Sequence, residues 1–116
     1  PLEITGRILF PNWQLKKGEV DITIMQTIVE GTKDGQKQRF TFDLFDKYSP
    51  ETDTHSMART TGYTATSVLR LIADGLYTKK GISPPEYIGR DSVCVDNLLN
   101  QLRQRGVNWV VKQESL

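Results

Sequence analysis

Two segments with alternating apolar and polar residues, separated by a turn signal, place the strongest constraint on how this chain can fold. In residues 20–30 and again in residues 38–46, apolar side chains fall mainly on every second position, which indicates strands. They are Val20, Ile22, Ile24 and Ile28 in the first segment, and Phe40, Phe42 and Leu44 in the second. Lys33-Asp34-Gly35 lies between the segments and is typical of a hairpin loop. We therefore predict a long antiparallel hairpin with one buried face.

The apolar pattern also predicts the register of this hairpin. A two-residue loop would place Phe40 opposite Val29 and divide the apolar residues between both faces. A three-residue loop, with Gly35 in the left-handed conformation, places Ile28 opposite Phe40 and collects them on one face. Because a slip of one residue moves every side chain to the other face, we expect the three-residue loop with a bulge.

Two later segments have apolar residues at helical spacing. The first predicts a helix over residues 56–74, ended by a left-handed cap at Gly75. Its expected buried stripe is Ala65, Val68, Leu69, Ile72 and Leu76. The second predicts a helix over residues 91–105, capped by Asp91 or Ser92 and ended by Gly106. Its expected buried stripe is Val95, Leu98, Leu99 and Leu102.

The remaining segments complete an α+β fold. We expect a short helix within residues 2–15 that ends before Pro11, polar loops over 47–55 and 77–90, and a closing strand over 107–112. The order helix, strand, strand, helix, helix, strand predicts a mixed or mostly antiparallel sheet with two main helices on one face. At 116 residues, the chain is expected to be a single domain.

Composition excludes several classes of protein. Fifteen Lys and Arg against 14 Asp and Glu leave a formal charge of +1, which argues against a nucleic-acid-binding protein. Apolar runs are too short for a membrane span. One cysteine and one histidine exclude an intrachain disulfide and a histidine-rich metal site, and favour a reducing compartment, which we take to be the cytoplasm. We expect no signal peptide at its first residues, and we expect the chain to be part of a longer one or to have a processed terminus.

The segment from Ser56 to Gly62 is the candidate binding site. It falls at a predicted helix start, where free backbone N–H groups favour an anion, and Arg59 could bind a carboxylate with two hydrogen bonds. Ala58, Gly62 and Thr66 form a stripe of small residues that permits close approach. The alternative is structural: Ser56 as an N-cap, Gly62 as a packing residue and Arg59 as a solvated charge.

The other reactive residues have structural interpretations. Cys94 is expected to be a buried structural thiol, and His55 a loop residue; the alternative role for His55 is acid–base catalysis. Asp21, Asp43 and Asp46 are interpreted as solubilising charges on the outer face of the hairpin. The chain has no glycine-rich phosphate loop after a strand, so we expect no dinucleotide site in it.

Two motifs resemble a known family. They are Gly18-Glu19-Val20-Asp21 leading into the hairpin, and Ser56-Met57-Ala58-Arg59-Thr60-Thr61-Gly62-Tyr63; Asp74-Gly75 and the Gly81–Glu86 loop follow in the family's order. Together they resemble the C-terminal part of saccharopine dehydrogenase-like oxidoreductases, which include the glutamate-forming saccharopine reductases and bacterial relatives. Thr27 and Thr64 stand where those reductases usually have His and Pro, which leaves the amine substrate open.

The resemblance implies an NAD- or NADP-dependent enzyme that acts on the CH–NH group of an amino-acid-derived secondary amine. A separate Rossmann domain would hold the cofactor, so this chain alone would be inactive. This domain would supply a homodimer interface and the substrate contacts, for which the resemblance points to Ser56, Arg59, Thr60, Thr61 and Gly62. The alternative hypothesis is a self-contained α+β domain that binds a protein or a small ligand without catalysis.

Overall fold

Three antiparallel strands and two long helices form the centre of the fold in the computed structural model, which describes residues 2–116. The strands lie in the order β1-β2-β3. The elements in chain order are α1 (Leu2–Ile8), α2 (Phe10–Trp13), β1 (Ile22–Lys33), β2 (Gln36–Lys47), α3 (Ser56–Ala73), α4 (Pro85–Gly89), α5 (Ser92–Gln104) and β3 (Trp109–Ser115). The predicted α+β class, the long hairpin and the two main helices are confirmed.

The hairpin closes with a two-residue loop, so the predicted three-residue loop is wrong. Asp34 and Gly35 form the loop, with φ angles of 53° and 77°. Two successive positive φ values are the property of the type I′ turn, whose twist matches that of paired antiparallel strands. As a result Val29, and not Ile28, lies opposite Phe40. The geometry of the turn sets the register, and the apolar residues are divided between the two faces.

This register places the isoleucines of β1 on the sheet face away from the helices. Ile24 lies opposite Phe45, and the two residues are 71% and 63% exposed. Neighbouring residues along a strand face opposite sides of the sheet. The inner face therefore carries Thr23, which is next to Ile24 on β1, and Leu44, which is next to Phe45 on β2. The expectation of a buried isoleucine face is therefore wrong. We call the exposed set the outer apolar face; its members are Ile22, Ile24, Ile28, Phe45 and Val110.

The core has two adjoining clusters, one among the helices and one between α5 and the inner face of the sheet. The first consists of Leu71, Tyr77, Ile88 and Cys94. The second consists of Leu44, Leu102 and Val107 and joins α5 to the sheet. Leu98 packs against both clusters and connects them. The core thus fixes α5 against β2 and brings α3 alongside.

Helix α3 has the predicted length but buries a different stripe. Leu71 and Ser67 are fully buried, whereas Leu69 and Ile72, which were expected in the core, are more than half exposed. Gly75 has a φ of 70° and ends the helix as predicted. The helix is rotated relative to the expectation because buried polar contacts at its first turns fix its orientation on the sheet.

The remaining elements differ from the predictions only locally. Asp91 caps α5 as expected, since its carboxylate accepts hydrogen bonds from the backbone of Val93 and Cys94. Helix α1 ends before Pro11, but a further turn, α2, includes this proline in its first turn, where a missing N–H is tolerated. The predicted loop 77–90 contains the short helix α4, and the last strand starts at Trp109.

Candidate functional site

A carboxylate from the segment before β1 covers the start of α3. Asp21 accepts hydrogen bonds from the backbone N–H of Ser56 through Oδ1 at 2.6 Å and from that of Met57 through Oδ2 at 2.8 Å. His55 Nδ1 lies 3.3 Å from Oδ1. The sequence predicts an anion at this helix start, and the structure shows that the chain itself supplies one. Asp21 is thus not a solubilising charge on an outer face, as interpreted from the sequence.

The surroundings of Asp21 favour its charged form. Burial by itself raises the pKa of this carboxyl, but the hydrogen bonds from Met57, Ser56 and His55, together with the nearby His55 charge, outweigh burial and hold the pKa below its usual range. A carboxylate at a helix N-terminus also interacts favourably with the helix dipole. The ionised Asp21 therefore stabilises the contact between α3 and the start of β1.

Replacing Asp21 with Ala should lower the free energy of unfolding by about 1 kcal/mol, the usual effect of losing a helix cap. The pKa of Asp21 is lower in the folded state than in the unfolded state. Its contribution to stability is therefore complete above the unfolded pKa and is lost as the pH falls through the folded pKa. Urea unfolding from pH 7 to pH 3 should therefore show a smaller loss of stability below about pH 5 in the variant than in the wild type. Asp96→Ala, at an exposed position of α5, is the control. Equal pH dependence in both variants would contradict this role.

Beneath this cap, Ser56 and Arg59 connect α3 to a buried carboxylate on β2. The Ser56 hydroxyl lies 2.7 Å from Asp46 Oδ2 and 2.8 Å from Thr23 Oγ1. Arg59 Nε lies 3.2 Å from Asp46 Oδ2, and its Nη2 lies 3.3 Å from Oδ1. Asp46 and Arg59 are only 5% and 8% exposed. These contacts orient α3, and they show that Asp46 is a buried structural charge rather than a surface one.

Arg59 also faces a cleft that contains a second arginine. Its Nη2 donates a hydrogen bond to the carbonyl of Arg105 at 3.1 Å. The guanidinium groups of Arg59 and Arg105 lie 5.7 and 5.2 Å from the centre of the Tyr63 ring. The cleft has a volume of about 690 Å³, and the loop after β2 and the end of α5 form its other walls. Its size is that of a site for a small organic molecule.

The other predicted site residues, Thr60, Thr61 and Gly62, lie in the first two turns of α3. Thr60 is half-buried and donates a hydrogen bond from its hydroxyl to the carbonyl of Ser56 at 3.0 Å. Thr61 and Gly62 are exposed, and a Cβ atom added at Gly62 would meet nothing within 4 Å. The stripe of small residues, Ala58, Gly62 and Thr66, is therefore exposed to solvent. Binding of a substrate by Ser56, Arg59, Thr60, Thr61 and Gly62 remains a prediction.

Arg105 is the cleft residue that sequence reasoning did not select. It lies 39 positions along the chain from Thr66, whose hydroxyl accepts a hydrogen bond from Arg105 Nη1. Asp46 was misinterpreted as an outer-face charge, although it follows Phe40, Phe42 and Leu44 at the same two-residue spacing on β2. Residues two apart on a strand face the same side of the sheet, so the burial predicted for Leu44 was the signal that Asp46 is on the inner face.

Cys94 is the buried structural thiol that the sequence predicts. Its side chain is fully buried, and its sulfur lies 3.5 Å from the carbonyl of Leu76. Burial raises the pKa of this thiol, and the Asp91 carboxylate raises it further. A raised pKa disfavours the thiolate, which is the nucleophilic form.

Neither a metal-binding cluster nor a membrane-crossing helix occurs in the described part of the chain. Within residues 2–116, no group of three or more His, Cys, Asp or Glu side chains could hold a metal ion. Over the same residues, the helices are too short or too polar to cross a bilayer.

The fold and the site together define an α+β domain whose arginine-lined cleft lies beside the first turns of its longest helix. Residues 1–107 match the profile of the saccharopine dehydrogenase C-terminal domain family. The chain belongs to this family, which confirms the resemblance. It is therefore an oxidoreductase-related domain. No solved structure shows significant similarity to it.

Proposed function

We propose that this chain is the substrate-contacting and dimer-forming C-terminal domain of an NAD- or NADP-dependent oxidoreductase that acts on the CH–NH group of an amino-acid-derived secondary amine. The observation that carries the proposal is the family match over residues 1–107, which includes the whole of α3. The arginine-lined cleft supports it, because an amino-acid skeleton brings a carboxylate that needs a guanidinium partner.

The residues of this chain do not fit the dinucleotide itself. In dinucleotide sites a glycine-rich turn joins a strand to a helix, and the pyrophosphate lies on free N–H groups at that helix start. Here the connection from β2 to α3, residues 48–55, contains no glycine. The first N–H groups of α3 are bound by Asp21. We therefore propose that another domain of the enzyme holds NAD or NADP, which supplies the hydride chemistry when bound.

The substrate surface that we propose is the exposed side of α3 over residues 58–62, together with Arg59. Ser56 is fully buried, so its proposed role is to hold Asp46 and thereby the position of Arg59. Arg59 retains one nitrogen, Nη1, that makes no hydrogen bond within residues 2–116. Thr61 and Gly62 leave an open surface on which a substrate chain can lie.

The second part of the proposal is a homodimer formed through the outer apolar face. Each of its five side chains is more than half exposed, which is unusual for one side of a sheet in a monomer. The charged residues beside it are paired on the same face: Arg39 with Glu30 at 2.6 Å, and Lys112 with Asp43 at 3.2 Å. Lys47, opposite Ile22 at the end of this face, forms no ion pair within residues 2–116. Two identical copies can therefore meet over the middle of the face without opposing unpaired charges there.

Sedimentation of the 116-residue chain tests the dimer. We expect Ile24→Asn to convert a dimer into a monomer, because the substitution places an amide at the centre of the apolar contact. Ile72→Asn is the matched control, since this isoleucine is exposed on α3 away from the sheet face. A wild-type monomer, or a dimer equally affected by both substitutions, would exclude this interface.

The enzymatic proposal is tested by amine-dependent reduction of NAD and NADP by the full polypeptide that carries this chain. Saccharopine and simple amino acids serve as parallel substrates. Turnover with saccharopine would support the family activity and show that Thr27 and Thr64 are tolerated variations. Turnover with another amine alone would keep the reaction class and change the substrate. Absence of turnover with all of them would reject the proposal in favour of a non-catalytic binding domain.

A further inference from the structure

The cleft beside α3 contains a positive charge that the fold positions but does not neutralise. Arg105 follows the end of α5, and its Nη1 donates a hydrogen bond to the Thr66 hydroxyl at 2.8 Å. Its guanidinium lies 5.2 Å from the centre of the Tyr63 ring. Within residues 2–116, no Asp or Glu carboxylate forms an ion pair with Arg105, and its Nε and Nη2 make no hydrogen bond. A held guanidinium with a free edge is preorganised for an external acceptor.

Arg59 contributes a second set of donors to the same space. Asp46 neutralises its charge through Nε and Nη2, and these contacts fix the plane of the group. Its Nη1 makes no hydrogen bond within the described residues. Arg59 Nη2 also donates to the backbone carbonyl of Arg105, which ties the Arg59 guanidinium to the chain segment that carries the Arg105 side chain. The Tyr63 ring lies near both guanidinium groups.

The charge balance of the cleft selects the class of ligand. Arg59 and Asp46 cancel each other, and the further lining charges Lys47 and Glu51 also have opposite signs. Arg105 remains as a single uncompensated charge. A carboxylate is a single negative charge with two coplanar oxygens, which fits the parallel donors of one guanidinium edge. A phosphate dianion would leave one of its charges unbalanced.

We propose that this cleft binds a carboxylate group of a small organic acid, with the Nε–Nη2 edge of Arg105 as the principal partner and Arg59 Nη1 as an additional donor. The inference rests on the proposed function only for the identity of the acid, which would be the amino-acid-derived substrate. Binding itself does not require turnover. The two proposals can therefore fail separately.

Titration of the 116-residue chain with glutarate at constant ionic strength tests the site by NMR. We expect saturable shifts of the Arg105 Nε–H resonance and of the Gly106 backbone amide, which line or adjoin the cleft. Arg105→Met should weaken binding by about tenfold or more, since hydrogen bonds to a charged group are lost while the side-chain stem is kept. Arg105→Lys should give an intermediate loss, because it keeps the charge without the planar fork.

Arg103→Met is the matched control, because it removes an equal charge from the exposed side of α5, where Arg103 donates to Asn100. Unchanged glutarate binding by this variant supports the site. Equal weakening by Arg103→Met and Arg105→Met would show general charge attraction and overturn the proposal. So would shifts that never saturate, or tighter binding of inorganic phosphate than of glutarate. If the full polypeptide turns over an amine with the same KM in the wild type and in Arg105→Met, the amine substrate does not bind in this cleft. That result would overturn only the identification of the bound acid as the substrate.

Discussion

Asp46→Asn should lower the free energy of unfolding by about 3–5 kcal/mol, the loss typical when one partner of a buried ion pair is removed. The substitution keeps the shape of the side chain but removes its charge. Arg59 would then be a buried cation with no carboxylate partner, because Asp46 is its ion-pair partner in the structure. The Ser56 hydroxyl would also lose a charged acceptor. Urea unfolding followed by circular dichroism measures the change.

Asp43→Asn provides the matched control on the same strand. Its carboxylate pairs with Lys112 at 3.2 Å, but the lysine side chain is 64% exposed, so we expect a loss below about 1 kcal/mol. Where Asp46→Asn does not fold, the double variant Asp46→Leu with Arg59→Met should restore folding, because it removes both buried charges. Similar small losses for Asp43→Asn and Asp46→Asn would contradict the buried pair.

The second large effect is expected in the core. Leu71→Ala should lower the free energy of unfolding by about 2–5 kcal/mol, because it leaves a cavity where the side chain is fully buried among Tyr77, Ile88 and Cys94. Leu69→Ala removes the same atoms from the same helix at a position that is 65% exposed. Its effect should be within about 0.5 kcal/mol.

This pair of variants also decides between two orientations of α3. The sequence stripe places Leu69 in the core, whereas the structure places Leu71 there. Chemical denaturation of the two variants in parallel gives the answer. A larger loss for Leu69→Ala than for Leu71→Ala would mean that α3 is rotated from the orientation described.

The long strands and helices of this fold were predictable because each has a local signal, whereas the short helices α2 and α4 were not predicted. Alternation marks β1 and β2, helical spacing followed by Gly75 marks α3, and Asp91 marks the start of α5. The faces were not predictable from the same signals. The loop formed by Asp34 and Gly35 sets the register by its own geometry, and the pattern argument assumed that the isoleucines needed burial. The structure leaves them exposed on the outer apolar face.

The candidate site was predictable only in part, for a similar reason. The motif beginning at Ser56 and the charge of Arg59 are visible in the sequence. The partners that define their environment are distant along the chain: Asp21 lies 35 positions from Ser56, and Arg105 lies 46 positions from Arg59. Only the folded hairpin and the end of α5 bring these groups together. A helix start that looks open to an external anion is thus already bound by Asp21.

The most direct test of the proposed function compares the wild type with Gly62→Leu in the full polypeptide during amine-dependent NAD or NADP reduction. The leucine fits the domain, since a Cβ at this position meets nothing within 4 Å and leucine favours a helix over glycine. We predict a KM for the amine raised by about tenfold, equivalent to about 1.4 kcal/mol of binding, with an unchanged KM for the dinucleotide. Ala73→Leu, exposed at the far end of α3, should change neither constant. Turnover with the same amine KM in the wild type and in Gly62→Leu would contradict the account, because the exposed side of α3 would then not face the substrate.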